Sequence, residues 1–520
     1  MKRRSFVQSV ALSSIGAPLL LKDFNFGAIS KELFKTSRSG EDRVLVLIRL
    51  NGGNDGLNTL IPLDQYDNLV VQRPNIIIPE SQLLNITPTN GLHPRMGGMA
   101  NMFNDGKLGI IQNVGYPEQN RSHFRSMDIW STGLLASDGT TGWLGRHLDQ
   151  NYPNYPDDYP NANYPDPFAI SMGYEVSLTC QGLMANFSHT VVDPTDVYNL
   201  QESAQLNDGT YYGSHMEYLA NLIAQSNEYG SRVNAAANAG GSDIGLYDQN
   251  NPLAVQMHHV ANMISGGLKS KIYILNVNGF DTHDAQVVEN STTTGNHGNL
   301  MQMLSDAIAA FQADLAVLGL EHRVAGMTFS EFGRQIASNA SFGTDHGDAA
   351  PLFLFGTCIS SGVIGPNPVI TNSIVDQAGI PMQIDFRDVY ASILLDWFEA
   401  DQSEIQAMFE HTVNFFPVLG ACNLGIDEEN EALAKEDILV FPNPCGSQTT
   451  VRIKSRNEKV TVQIYDLFGR MVVDVCSRSF GEGTHDIPVE LGNLPGGEYM
   501  VTVNKDSGVF TKRFIKVKHI

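Results

Sequence analysis

Cysteine and tryptophan are scarce in this 520-residue chain, at five and three residues. Cys180, Cys358, Cys422, Cys445 and Cys476 are odd in number and form no CxxC pair, which excludes a disulfide-built scaffold and a zinc knuckle. Cys445 and Cys476 fall in one C-terminal module and could pair there, while the other three read as small buried apolar residues. Charged side chains are also few, at 17%, but hydrophobic ones reach 42%, so the chain can bury a large core and is not a disordered one. No stretch after the N-terminus reaches the roughly 18 apolar residues of a membrane-spanning helix. Positive charge is short as well: 33 Lys and Arg stand against 56 Asp and Glu, a net charge of -23. Such a body repels phosphate backbones and excludes nucleic acid as a partner, but leaves divalent cations open. The 48 glycines and 23 prolines follow no triplet period and indicate loops rather than a collagen-like chain.

At roughly 150 residues per domain, the length predicts two to four domains. Met1-Lys2-Arg3-Arg4-Ser5-Phe6 followed by a mildly apolar run from Val10 to Leu21 reads as a signal peptide over residues 1–28. Its paired arginines before Ser5-Phe6 resemble a twin-arginine export signal, which implies the twin-arginine translocase as a partner and passage through the periplasm. A body spans residues 40–421, and 422–437, with Asp427, Glu428, Glu429 and Glu431, is an acidic linker. Residues 438–520 then reverse the charge, with 11 basic and 8 acidic side chains. Short alternating runs there (449–453, 460–464, 471–475, 499–503 and 509–515), separated by glycine turns, predict a small β-sandwich. Phe441-Pro442-Asn443-Pro444, Val462 to Asp466 with Gly469-Arg470, Leu494-Pro495-Gly496-Gly497-Glu498-Tyr499 and the closing Lys512 to Lys518 resemble the type A C-terminal sorting domain of type IX secretion cargo. That resemblance implies the type IX machinery as a partner and a final place outside the cell or on its surface.

Within the body, Val44-Leu45-Val46-Leu47-Ile48 is a continuous apolar run of the kind buried on both faces of a parallel sheet. Leu108–Val114, Lys271–Val277 and Val324–Phe329 repeat it, and a helix from about Leu300 to Leu318 joins the last two, making a βαβ unit. The expected fold class is α/β, a mostly parallel sheet flanked by helices, with the β-sandwich appended. Residues 150–168, with Asp157, Asp158 and Asp166, read as a proline-rich surface loop, and Trp130 and Trp143 as packing residues.

Each of the four runs is followed by a polar cluster: Gly52-Gly53-Asn54-Asp55-Gly56, Asn120-Arg121-Ser122-His123-Phe124, Asp281-Thr282-His283 and Ser330-Glu331-Phe332-Gly333-Arg334. Open α/β sheets bind ligands at the carboxyl ends of their strands, so one crevice could collect all four. Asp55, Asp281, His283, Asp345 and His346 are the candidate metal ligands, a mixture that suits zinc or manganese better than calcium. Ser122, His123, Glu331 and Arg334 are the candidate catalytic residues. Ser122 opens a helix and could act as a nucleophile, and Arg121, Arg125 and Arg334 could grip a phosphate or sulfate. Plainer roles stay open: Asp55 as a turn residue, Ser122 as an N-cap, Glu331 with Arg334 as a structural ion pair, and His297 as a surface cap.

The same motifs, with Gly343-Thr344-Asp345-His346-Gly347 and Asp388-Val389-Tyr390-Ala391, resemble the DUF1501 family from about Val44 to Phe398. That family is similar to the alkaline phosphatase and sulfatase superfamily. The resemblance implies Asp55, Asp281, His283 and His346 as metal ligands, Ser122 as the nucleophile, and an anionic phosphate or sulfate ester as substrate. Two departures stand against a complete two-zinc site: Glu331 and Arg334 replace the superfamily's late Asp-His pair, and Asp281-x-His283 is shorter than its usual spacing. One divalent metal, or none, is expected. The rival reading is a non-catalytic surface binding or scaffold protein that keeps the fold.

Overall fold

The structure is a computed structural model that describes residues 42–520, apart from 137–138, 197–199, 201–208, 421–437, 442–444, 456, 467–469, 493, 506–507 and 517–520. The expected signal peptide (1–28), the acidic linker (422–437) and Cys422 lie outside the described residues. Contacts separate a body, residues 40–422, from a C-terminal unit that begins at residue 423.

The body is built on a nine-stranded sheet. Its strands in chain order are β1 (Val44–Asn51), β2 (Leu108–Gly115), β3 (Ala169–Met172), β4 (Ser188–Val191), β5 (Ile272–Asn278), β6 (Val324–Phe329), β7 (Ala350–Phe355), β8 (Gly362–Ile364) and β9 (Ile384–Asp385). They lie in the order β8-β2-β7-β6-β1-β5-β3-β4, with β9 also on β2. Every pairing is parallel except those of β7, which runs against both β2 and β6. The four strands expected from the apolar runs therefore point the same way, and their following loops leave one edge of the sheet.

β1 shows why the apolar runs have no polar face. Val44, Val46, Ile48 and Leu50 enter one core while Leu45 and Leu47 enter the other, on the opposite side of the sheet. The body's helices include α1 (His123–Thr132), α2 (Tyr211–Ala239), α3 (Pro252–Ser265), α4 (Asn296–Val317) and α5 (Phe386–Asp396). α3 starts sharply because Asn251 accepts from the Leu253 and Ala254 N–H groups and Pro252 occupies the first helical position. α4 begins four residues before the expected Leu300, and its stripe Leu304, Ile308, Phe311 and Leu315 is fully buried. Residues 150–168 are less of a surface loop than expected. Tyr152 and Tyr155 are buried, stacking near Phe168 and Phe187, and Asp166 is buried in an ion pair with Arg232 at 2.6 Å. Trp130 and Trp143 do pack, stacking on Phe386 and Tyr390.

In the C-terminal unit a three-stranded and a four-stranded antiparallel sheet share one core that includes Val451, Ile453, Val462, Ile487, Val501 and Phe514. That is a small sandwich with two strands beyond the five expected, Ile438–Phe441 and Gly483–Glu490. The second carries Pro488 and lies at the edge of its sheet, where a missing N–H does no harm. Two cysteine expectations need correcting: Cys445 and Cys476 are both thiols, so they do not pair, and Cys358 is disulfide-bonded rather than merely buried. Among the described residues no helix is long and apolar enough to cross a membrane.

Candidate functional site

Three histidines and an aspartate meet at the carboxyl edge of the sheet. His283 and Asp281 come from the loop after β5, and His123 from the first turn of α1, beyond β2. His346 precedes β7. Because β7 is antiparallel, its start lies at the same edge as the ends of its neighbours, which brings His346 to the others.

Each imidazole is fixed through Nδ1. His123 Nδ1 lies 2.9 Å from Glu331 Oε1, His283 Nδ1 2.7 Å from Asp345 Oδ1, and His346 Nδ1 2.9 Å from the Arg121 carbonyl oxygen. A carboxylate or carbonyl can only accept, so each Nδ1 carries the proton and each Nε2 presents a lone pair. These lone pairs converge. His283 Nε2 and His346 Nε2 are 2.9 Å apart, and Asp281 Oδ1 lies 3.2 and 3.1 Å from them. His123 Nε2 is 3.5 Å from Asp281 Oδ2, and ligand atoms of His123, Asp281 and His346 all fall within 4.8 Å of one another. The cluster is open to water, with the Asp281 side chain 47% exposed.

Behind it the support is buried. Glu331 also accepts from the Gly52 N–H at 2.8 Å, while its second oxygen is buried without a hydrogen bond. Its backbone carbonyl accepts from Trp130 Nε1 and Gln119 Nε2, each at 3.0 Å, and from Ser126 Oγ. The hydrogen bond to Glu331 raises the pKa of His123 against the effect of burial. Burial lowers that of His346. Burial opposes charge on Asp281, yet the Arg334 guanidinium bonded to it outweighs this and holds the carboxyl below its usual range.

Several expected roles are displaced. Asp55 is not in the cluster: it is fully buried and bonded to Arg73 Nη1 at 2.7 Å and to Gln286 Nε2 at 2.5 Å. Arg73 outweighs burial and keeps the Asp55 carboxyl below its usual range, so a second cation beside it would be repelled. Asp345 stands behind His283 as the acceptor that orients it. His123, expected to be catalytic, takes a place among the converging imidazoles. Arg334 is not placed to clamp an anion, because its side chain is fully buried and each of its nitrogens already donates to an acceptor within the fold. It donates to the carbonyls of Gly53 (2.9 Å), Thr344 (3.0 Å), Phe280 (2.9 Å) and Gly52, and to Asp281 Oδ1 (2.6 Å). It thereby ties three loops together and fixes one carboxylate oxygen. Arg121 is held by Asp348 and Arg125 by the carbonyls of Leu135 and Ala136. His297 is buried rather than a surface cap, with Nε2 3.3 Å from Thr59 Oγ1. Ser122 occupies the N-cap position of α1, but its exposed hydroxyl makes no capping bond.

Residues 79–409 match the family described as protein of unknown function DUF1501. The chain belongs to the DUF1501 family. The matched stretch includes every residue of the cluster and leaves out Gly52 to Asn58. Residues 439–518 match the secretion system C-terminal sorting domain, which implies the type IX machinery and points to export or the cell surface. No curated protein matches this DUF1501 sequence. Solved structures similar to it include an alkaline phosphatase superfamily protein from Vibrio parahaemolyticus, at 9% identity over 85% of this chain and 78% of that one, with a TM-score of 0.33. A phosphonate monoester hydrolase from Silicibacter pomeroyi has 9% identity over 91% and 89%, TM-score 0.32. A sulfatase from Pseudoalteromonas has 10% identity over 89% and 87%, TM-score 0.30. Scores of this size leave the chemistry to be argued from this chain's own residues.

Proposed function

We propose that the protein is an exported hydrolase of phosphate or sulfate esters that holds one divalent cation, zinc or manganese, on His123, His283, His346 and Asp281. The observation that carries this reading is the 2.9 Å approach of the His283 and His346 Nε2 atoms. With both Nδ1 protons committed to acceptors, two lone pairs face each other there, and a cation between them turns repulsion into ligation. Three of these residues fit a small ion: ligand atoms about 2.0–2.1 Å from a tetrahedral zinc lie roughly 3.3 Å apart, close to the 2.9, 3.1 and 3.2 Å found among His283, His346 and Asp281, and His123 Nε2 stands 3.5 Å from Asp281 Oδ2. Imidazoles with one carboxylate suit zinc or manganese rather than calcium. Acceptors on all three Nδ1 atoms are the outer support that metal-binding histidines require.

A divalent cation bound there supplies a Lewis acid that draws charge from the ester oxygens. The rest belongs to the chain. Ser122, next to His123 in sequence, presents its uncommitted hydroxyl at the start of α1, where free N–H groups favour an anion. Its Oγ forms the bond to phosphorus or sulfur as the bond to the alcohol oxygen breaks, and the serine proton leaves with the alcohol. Water then releases the phosphate or sulfate and restores the hydroxyl. Arg334 holds Asp281 in place throughout, and Glu331 holds His123.

Export proceeds on this reading through the twin-arginine translocase, directed by Arg3-Arg4, and then the type IX machinery. A disulfide at Cys358 agrees with an oxidising destination. The test is a panel of aryl phosphate and sulfate esters on the full chain. Ser122→Ala is expected to abolish the activity found while leaving metal content unchanged; undiminished turnover in that variant would refute the assignment of the nucleophile.

A further inference from the structure

Arg49 breaks the apolar pattern of β1. Strand alternation puts it on the same face as Leu45 and Leu47, where that strand is otherwise buried against the core. Its Nε is buried without a hydrogen bond, and its only ion-pair contact among the described residues is Glu175 Oε2, 3.8 Å from Nη1 and too far for a hydrogen bond. The Glu175 side chain is itself 78% exposed. A guanidinium set into a sheet without a committed acceptor needs a reason, since burial disfavours its charge.

The reason lies in the cavity it lines. This cavity, of about 150 Å³, opens at the same carboxyl edge as the histidine cluster, between β1, β5 and α1. Asn276 and Phe329, the register partners of Arg49 on β5 and β6, contribute to its wall. So do Met127 and Ser131, four and eight residues after His123 and hence on the same side of α1, and Asp128, which adds a second carboxylate to the wall beside Glu175. Met127 thus stands about one helical turn, roughly 5.4 Å, along α1 from the proposed metal ligand His123. Glu331, which holds His123, is also close enough to Arg49 to act on its charge.

We propose that this cavity binds a second oxyanion carried by the substrate, with Arg49 as the residue that grips it and Glu175 as the carboxylate it displaces. The protein's esters are then polyanionic, carrying a carboxylate, sulfate or phosphate beside the group that is hydrolysed. Arginine suits this because its planar fork matches a carboxylate or phosphate edge. Ser131 and Asn276 add neutral polar groups that can bond to oxyanion or adjacent hydroxyls. The proposal rests on the hydrolase reading for its location beside the reacting ester, but not for the binding itself.

The experiment separates the two. Inorganic phosphate and inorganic sulfate are titrated into the full chain after chelation, so that no metal contributes, and followed by calorimetry and by the rise in Tm that a ligand of the folded state produces. Wild type is expected to bind with a Kd in the millimolar range. Arg49→Met is expected to weaken binding at least about tenfold, roughly 1.4 kcal/mol, and Glu175→Gln to tighten it several-fold by removing the competing carboxylate. Arg49→Met binding as wild type does, or no binding by wild type up to about 10 mM, would overturn the proposal. If Arg49→Met does not fold, unchanged affinity in Glu175→Gln overturns it equally. Arg49-dependent binding in a protein that never takes up metal would uphold the anion site and reject the hydrolase reading.

Discussion

Asp345 touches the proposed ion only through His283. By accepting the Nδ1 proton at 2.7 Å it fixes both the tautomer and the direction of Nε2. Asp345→Asn keeps the shape but loses the charge, and it is expected to lower zinc affinity about 10- to 100-fold, read by competition with a chromogenic chelator; wild-type affinity would place Asp345 outside the ligand support. Asp55 belongs to a different economy of charge. Its removal leaves Arg73, fully buried, without its carboxylate. Asp55→Ala is therefore expected to cost about 3–5 kcal/mol in urea unfolding, with metal content per folded chain unchanged. Loss of metal from a folded Asp55→Ala protein would return Asp55 to the ligand set.

Loops, more than strands, decide whether the cluster assembles. Gly52 has a φ of +124°, and a Cβ on it would lie 2.1 Å from the Asp281 backbone nitrogen. The loops after β1 and β5 can touch only because that position is glycine. Gly52→Ala is expected to push Asp281 away from His346 and to lower both Tm and metal stoichiometry; a variant with full metal content would show that the two loops do not depend on each other. Much of this architecture was legible in the residues: unbroken apolar runs reported strands covered on both sides, and the polar clusters following them marked the working edge. β7 was not, because Pro351 argues against a central strand; the register shift between Ala350 and Leu352 accommodates it. The arginines were misread for a related reason. Sequence shows a guanidinium near a glycine-rich loop but not whether it faces solvent or, like Arg334, a ring of backbone carbonyls. His123 was named for catalysis because nothing in Ser122-His123-Phe124 reveals that Glu331, 208 residues away, holds its Nδ1. Arg49 was passed over as one charge within an apolar run.

At the scale of the whole molecule, burial makes the fold sensitive to acid. Burial lowers the pKa of His93 to about 3 and those of His147 and His297 to about 4. Asp55 pulls His297 the other way, but Arg73 and Arg334 support the shift, as does its place in the first turn of α4. These histidines stay neutral in the folded chain while the unfolded chain protonates them near pH 6.5. Their contribution is therefore complete above about pH 6.5 and declines as pH falls toward 4, and for His93 toward 3, by on the order of 2 kcal/mol each at pH 5. Urea midpoints at pH 7 and pH 5 check this: a marked fall is expected, smaller in His297→Gln, and equal midpoints would contradict it. The central claim, that four residues from three separate segments enclose one cation, is tested most directly by elemental analysis of the full chain recovered from its native export route. The account expects one divalent metal per chain, absent from a folded His283→Ala/His346→Ala double variant. A metal-free wild type, or a double variant that keeps the ion, would contradict it.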